Sequence, residues 1–175
     1  MNQRNRAKML TTSALFAALL AVTCPFVLPL GAIGITLATA VLLFLSLTVK
    51  PGEAIIATSL YLALGAIGLP VFSQFTGGIG AFVAPSGGFL IGYLPFVAIT
   101  ALAKRHTSRA LAMSLAIIAA HLVLYALGAT VFALNASCSL AKAITLTVLP
   151  FLLPDAVKAL LATYLARLTA SRRFR

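Results

Sequence analysis

The stretch ALAMSLAIIAAHLVLYALGATVFAL, residues 110–134, contains no Asp, Glu, Lys or Arg. It exceeds the roughly 20 apolar residues that a helix needs to cross a bilayer. Its apolar residues run continuously rather than alternating with period two, which reads as a helix and not as a barrel strand. Comparable runs recur along the chain. Of the 175 residues, 62% are hydrophobic and 9% are charged, against about 25% charged in soluble domains. The composition is that of an integral membrane protein. In lipid every backbone polar group needs an internal partner, so only helices or closed barrels can span, and these runs select helices.

Working outward from this segment gives six helices. Before it lie spans over residues 10–27, 35–49, 54–69 and 89–103; after it lies one over residues 140–168, interrupted near Pro150 and Pro154. Pro25, Pro29, Gly31 and Gly34 mark a loop between the first two. Lys50-Pro51-Gly52-Glu53 reads as a tight turn, with Glu53 a solvated cap in the first turn of the third helix, where a carboxylate suits the positive helix end. Gly88 and Gly92 form a small-xxx-small pair on the fourth. The expected fold class is an all-α membrane protein, one integral membrane domain over residues 1–175 with six transmembrane helices.

The formal charge is +11, but its distribution argues for topology rather than nucleic-acid binding. Arg4, Arg6, Lys8, Lys50, Lys104, Arg105, Arg109, Arg167, Arg172, Arg173 and Arg175 sit at the termini or between apolar segments. With six alternating helices these clusters fall on one side, and the positive-inside rule makes both termini cytoplasmic. Residues 70–88 then lie outside. That segment is too apolar for a solvated linker and too rich in glycine for a helix. It is expected to be an ordered loop dipping into the bundle, because irregular backbone at depth is tolerated only when buried in protein or lining a cavity.

The chemistry concentrates in Leu149-Pro150-Phe151-Leu152-Leu153-Pro154-Asp155-Ala156-Val157-Lys158. Asp155 is one of only two acidic residues in the chain, and Lys158, three positions on, shares its helix face. A charge at mid-bilayer costs about 2.5–3.5 kcal/mol on insertion scales. A buried ion pair that only fixes helix packing is one reading. The pair, the prolines and an opposed Gly-rich loop carrying Gln74 favour a ligand site, suited to a small amphipathic molecule with a urea- or amide-like head. No Ser-His-Asp set, paired carboxylates or His/Cys metal spacing is present, so an enzyme is not expected, nor a cofactor or metal. No ATP-binding motif occurs, so active transport would draw its energy from partners.

Smaller features leave alternatives open. Ala14, Ala17, Ala18 and Ala21 read as one face of the first helix, either a docking stripe or ordinary helix-forming alanine. His121, four residues before Tyr125, is either a ligand contact or a satisfied interhelical donor. Cys24 and Cys138 read as free thiols, with a disulfide as the alternative. The basic start and apolar stretch of the N-terminus mimic a signal peptide but read as a retained first helix.

Residues 61–72 (YLALGAIGLPVF), Gly77-Gly78-Ile79-Gly80 and residues 84–92 (APSGGFLIG) resemble the BioY family of biotin-binding S components of energy-coupling factor transporters. Residues 150–159 (PFLLPDAVKA) are similar to that family's proline–aspartate–lysine signature, and the likeness runs over residues 14–166. The resemblance implies a subunit of the bacterial cytoplasmic membrane that binds biotin from outside. It also implies delivery inward with a transmembrane scaffold and ATPase subunits. It puts Asp155, Lys158, Gln74, Tyr61, Phe72 and Gly87 at the ligand, and Ala14 and Ala18 at the scaffold. The chain departs from the family pattern at Ala38, where a Gln is usual, and at Ser86 and Phe89, where Thr and Tyr are typical. An S component for another vitamin and a membrane packing or assembly protein are the alternatives.

Overall fold

The structure, a computed structural model, describes residues 3–29, 33–107 and 109–172. Gly31 and two of the basic C-terminal residues, Arg173 and Arg175, lie outside the described residues. The elements are α1 (Gln3–Thr23), β1 (Val27–Leu28), β2 (Ile35–Thr36), α2 (Ala38–Thr48), α3 (Pro51–Ala66), α4 (Gly80–Val83), α5 (Gly87–His106), α6 (Ala110–Asn135), α7 (Leu140–Thr147) and α8 (Leu149–Arg172), with a 3-10 turn at Ser73–Phe75. Eight α-helices form the described fold, and α1, α5, α6 and the 149–169 part of α8 are long and apolar enough to cross a membrane. At 1.5 Å per residue, α2 and α3 are roughly 16 and 24 Å long, short of a hydrocarbon core of about 30 Å. The helical fold agrees with the sequence; a count of six full-length spans does not follow from helix length.

Apolar side chains face both ways, as a bilayer allows. Leu20, Leu42, Leu45, Phe96 and Leu124 are fully buried, while Leu111, Leu115, Ile118 and Leu122 of α6 and Leu153 and Leu160 of α8 point outward. Four buried hydroxyls on the helices are satisfied locally. Ser46, Thr58, Thr100 and Thr147 each donate to the carbonyl four residues back, at 2.7–2.9 Å. Their burial therefore needs no water. No buried side-chain N or O among the described residues lacks a partner.

Helix ends follow their sequences. Pro51 sits in the first turn of α3, where its missing N–H costs nothing. The Glu53 carboxylate accepts the Lys50 backbone N–H at 3.4 Å, as expected of a cap. At the other end, Gly68 has φ +105, a conformation that favours glycine. Its N–H reaches the Gly65 carbonyl and that of Leu69 reaches Leu64, the paired bonds of a Schellman stop. Close packing of α5 on α6 depends on the glycine pair read from sequence. A Cβ on Gly88 would overlap the Leu127 carbonyl oxygen, and one on Gly92 would lie 2.7 Å from Leu124 Cδ1.

Two expectations need correction. The final helix has one break rather than interruptions at both prolines. It falls at Val148, between α7 and α8. Pro150 then sits in the first turn of α8, where its ring is tolerated, and Pro154 stays inside a continuous helix. The alanine face of α1 also divides. Ala17 is buried and Ala21 half-buried, while Ala14 and Ala18 are exposed beside Leu15, Leu19 and Val22. Cys24 and Cys138 are free thiols.

Candidate functional site

Asp155 lies in the second turn of α8 and is 2% exposed. Its carboxylate gathers three donors from three helices. Lys158 Nζ donates to Oδ1 at 2.9 Å, Thr39 Oγ1 of α2 to the same oxygen at 3.0 Å, and the Tyr125 hydroxyl of α6 to Oδ2 at 2.7 Å. Lys158, whose side chain is 11% exposed, also reaches Thr39 Oγ1 at 3.4 Å. A carboxylate has about four lone-pair sites and an ammonium three protons. Three of the first and two of the second are engaged. One acceptor position and one donor remain within a few ångström of each other.

Asp155, Lys158 and Thr39 form one wall of an internal cavity of about 60 Å³. Thr36, Ser73, Thr76, Ser86 and Tyr93 add polar atoms to its lining, and Tyr61, Phe72, Phe89 and Phe151 supply aromatic faces. Phe89 and Phe151 stack with centroids 5.9 Å apart and planes at 21°. Cys24, just past the end of α1, also lines the cavity. Burial pushes its thiol up to about 11, with the neighbouring Tyr61 hydroxyl pulling weakly the other way.

The glycine-rich segment covers this cavity. The Phe72 ring fits where Gly65 has no side chain, and it meets Tyr61 and Phe82 edge-on, each at 5.6 Å. The Tyr61 hydroxyl donates to the Val71 carbonyl at 3.2 Å. The Gly78 N–H bonds to the Gly65 carbonyl at 2.6 Å and the Gln74 N–H to the Pro25 carbonyl at 3.0 Å. The segment is thus tied to α3 and to the chain after α1. Gln74 and Phe75 hold left-handed backbone, φ 59 and 57, a conformation that stores strain in non-glycine residues.

The six residues singled out at the ligand occupy different places. Asp155, Lys158, Tyr61 and Phe72 share the cavity. Gln74 is exposed in an adjoining recess of about 390 Å³, whose lining shares Ile33, Gly34, Ser73, Thr76, Ala81 and Ser86 with the cavity. Gly87 does not line the cavity. It is buried at the start of α5, where a Cβ would overlap the Phe82 carbonyl oxygen, so its role is to let α4 fold back on α5. His121 is satisfied within its own helix, with Nδ1 2.8 Å from the Ile117 carbonyl oxygen, and it packs edge-on against Phe96. It faces an apolar cleft between α6, α7 and α8, which Tyr125 and Asp155 also line.

Sequence reasoning missed Thr39 and the role of Tyr125. The departure at Ala38 directed attention one residue too early: Ala38 is fully buried in the core, and Thr39 carries the polar contact. A usable signal was the Thr36–Thr39 spacing at a helix start. Nothing in the sequence pairs Tyr125 with a carboxylate 30 residues later.

Fold and cavity together define a multi-pass helical membrane protein with an internal cavity whose charged wall comes from its last long helix. The family profile described as the BioY family matches residues 1–175. The chain belongs to the BioY family. It is 37% identical over 165 residues to Biotin transporter BioY of Thermotoga maritima, covering 91% of this chain and 94% of that protein. It is 30% identical over 162 residues to Biotin transporter BioY2 of Lactococcus lactis subsp. cremoris, covering 92% and 89%. A crystal structure of the S-component for biotin from an ECF-type ABC transporter superposes with a TM-score of 0.86 over 98% of this chain and 95% of that one, at 23% identity. That likeness is one of fold.

Proposed function

We propose that this chain is the substrate-binding S component of a biotin uptake transporter. It takes biotin from the outer side and delivers it inward with a transmembrane scaffold and ATPase subunits. Membership of a family whose relatives are named biotin transporters supports the substrate. The observation that carries the reading is the spare acceptor on Asp155 beside the spare donor on Lys158. A cyclic urea offers N–H and C=O groups side by side, so its N–H bonds to the carboxylate and its carbonyl to the ammonium. Charge-assisted bonds of this kind are roughly twice as strong as neutral ones. At about 60 Å³ the cavity has room for only part of such a molecule, so entry requires it to open into the adjoining recess of about 390 Å³; Phe89, Phe151, Tyr61 and Phe72 then face the apolar remainder.

The same reading treats residues 1–175 as one membrane domain in the bacterial cytoplasmic membrane. Its six spans are α1, α2, α3, α5, α6 and α7–α8, with both termini cytoplasmic. The start of α1, the α2–α3 turn and the end of α5 line one recess, which supports placing their basic residues on one side. The segment 70–88 acts as the outer lid, with Gln74 and Gly87 in the lid rather than in the cavity. Exposed Ala14 and Ala18 form the scaffold-docking pair. No catalytic step and no cofactor is assigned. Isothermal titration of the purified chain with biotin tests the function. Saturable binding at micromolar ligand or below is expected, and heat from another vitamin but none from biotin would overturn the substrate assignment.

A further inference from the structure

Well away from the Asp155 cavity, a second recess of about 420 Å³ opens where α1 begins, α2 turns into α3 and α5 ends. Lys8, Lys50, Lys104 and Arg105 line it against a single carboxylate, Glu53. The excess is three positive charges, four minus one. Among the described residues the only ion pair is Lys158–Asp155, so these four cations have no ion-pair partner there. Glu53 is itself engaged by the Lys50 backbone N–H. Beside the cations the lining turns apolar, at Leu47, Val49 and Ala101.

Three segments distant in sequence thus bring like charges together, which is unfavourable until an anion enters. The occupant has to present a phosphate-like charge next to hydrocarbon, because cationic and apolar linings adjoin. A bilayer supplies that combination at every helix end. We propose that this recess binds the headgroup phosphate of an anionic lipid. Arg105 offers a planar fork to two phosphate oxygens, and Lys104, Lys50 and Lys8 act as point charges. The first acyl carbons lie along Leu47 and Val49. The site is independent of the transported ligand.

The test compares the full chain with a Lys50→Gln/Lys104→Gln/Arg105→Gln variant in neutral detergent. Native mass spectrometry and thermal melting are read against added phosphatidylglycerol, phosphatidylcholine and inorganic phosphate. The wild-type chain is expected to retain phosphatidylglycerol over phosphatidylcholine and to melt higher with it. Removing three interfacial cations should weaken that retention roughly a hundredfold. Lys142→Gln removes an exposed cation on α7, which does not line the recess, and should retain lipid as the wild type does. Equal retention by the triple variant would overturn the proposal. So would a loss as large in Lys142→Gln, or a melting shift with inorganic phosphate as large as with the lipid. If the triple variant does not fold, Arg105→Gln alone decides, with a severalfold loss expected and an unchanged retention refuting the site.

Discussion

Replacing Asp155 with Asn separates a ligand site from a packing pair. The carboxylate receives three donors, from Lys158, Thr39 and Tyr125. Asparagine keeps one acceptor oxygen but puts an amide donor in place of the other, facing Tyr125 and the ligand if it replaces Oδ2, or Lys158 and Thr39 if it replaces Oδ1. It also leaves the Lys158 ammonium without a counter-charge while its side chain is only 11% exposed. Breaking a buried pair on one side costs about 3–5 kcal/mol. That cost falls on the fold and lowers the melting temperature; the affinity loses one charge-assisted bond to the ligand, about 1.5–3 kcal/mol, or roughly 10- to 150-fold. Glu53→Gln is the comparison. Glu53 makes one long backbone contact near a helix end, and its loss should change affinity less than about twofold. The assay is isothermal titration with biotin, with melting temperature measured alongside. A second variant, Asp155→Leu/Lys158→Met, removes both charges. Removing both charges avoids a lone buried ammonium, although Tyr125 and Thr39 lose an acceptor, so its melting temperature should fall less than that of Asp155→Asn while binding is abolished. Equal small effects of Asp155→Asn and Glu53→Gln would refute the site, as would a double variant that still binds.

Three further outcomes are expected. Gly88→Ala forces α5 away from the Leu127 carbonyl and should lower stability by about 1–3 kcal/mol, read as a lower melting temperature; an unchanged one would mean that the two helices do not meet as described. In folded protein at pH 8, maleimide should modify the half-exposed Cys138 and spare Cys24, whose thiol is buried and ionises only near 11; equal labelling would show that the lid does not shield the cavity. Ala14→Leu/Ala18→Leu adds bulk to an exposed face of α1 and should leave biotin affinity unchanged while abolishing co-purification with the scaffold subunit; intact assembly would place the docking surface elsewhere.

Long uncharged runs announce helices because lipid leaves the backbone no other partner, and residues 110–134 could be placed to within a residue of α6. The start of α3 was legible in part: Glu53 does sit in its first turn, but Pro51 and Gly52, expected in the turn before a helix from residue 54, already belong to the helix. The break in the last helix was less legible. Two prolines in one run look equivalent in sequence, yet one falls in a first turn, where a missing N–H is harmless, and the other is carried within a continuous helix. Asp155 and Lys158 stood out because charge in an apolar run is costly, and their three-residue spacing already implied a pair.

Their partners were not legible. Thr39 and Tyr125 are ordinary residues in apolar helices, and only the packing of α2 and α6 around α8 makes them donors to one carboxylate. The alanine face of α1 shows the same limit: helical periodicity groups its four alanines, but the neighbours of α1 decide that Ala17 turns inward while Ala14 and Ala18 remain exposed. Sequence by itself determined that this chain is a helical membrane protein with one costly charge pair, because hydropathy and the cost of buried charge are local properties; its likeness to the BioY family rested on the motifs at residues 61–92 and 150–159. Tertiary structure alone decided which side chains complete that pair and that Gln74 stands outside the cavity, because hydrogen bonds across 30 or 116 residues depend on where helices cross.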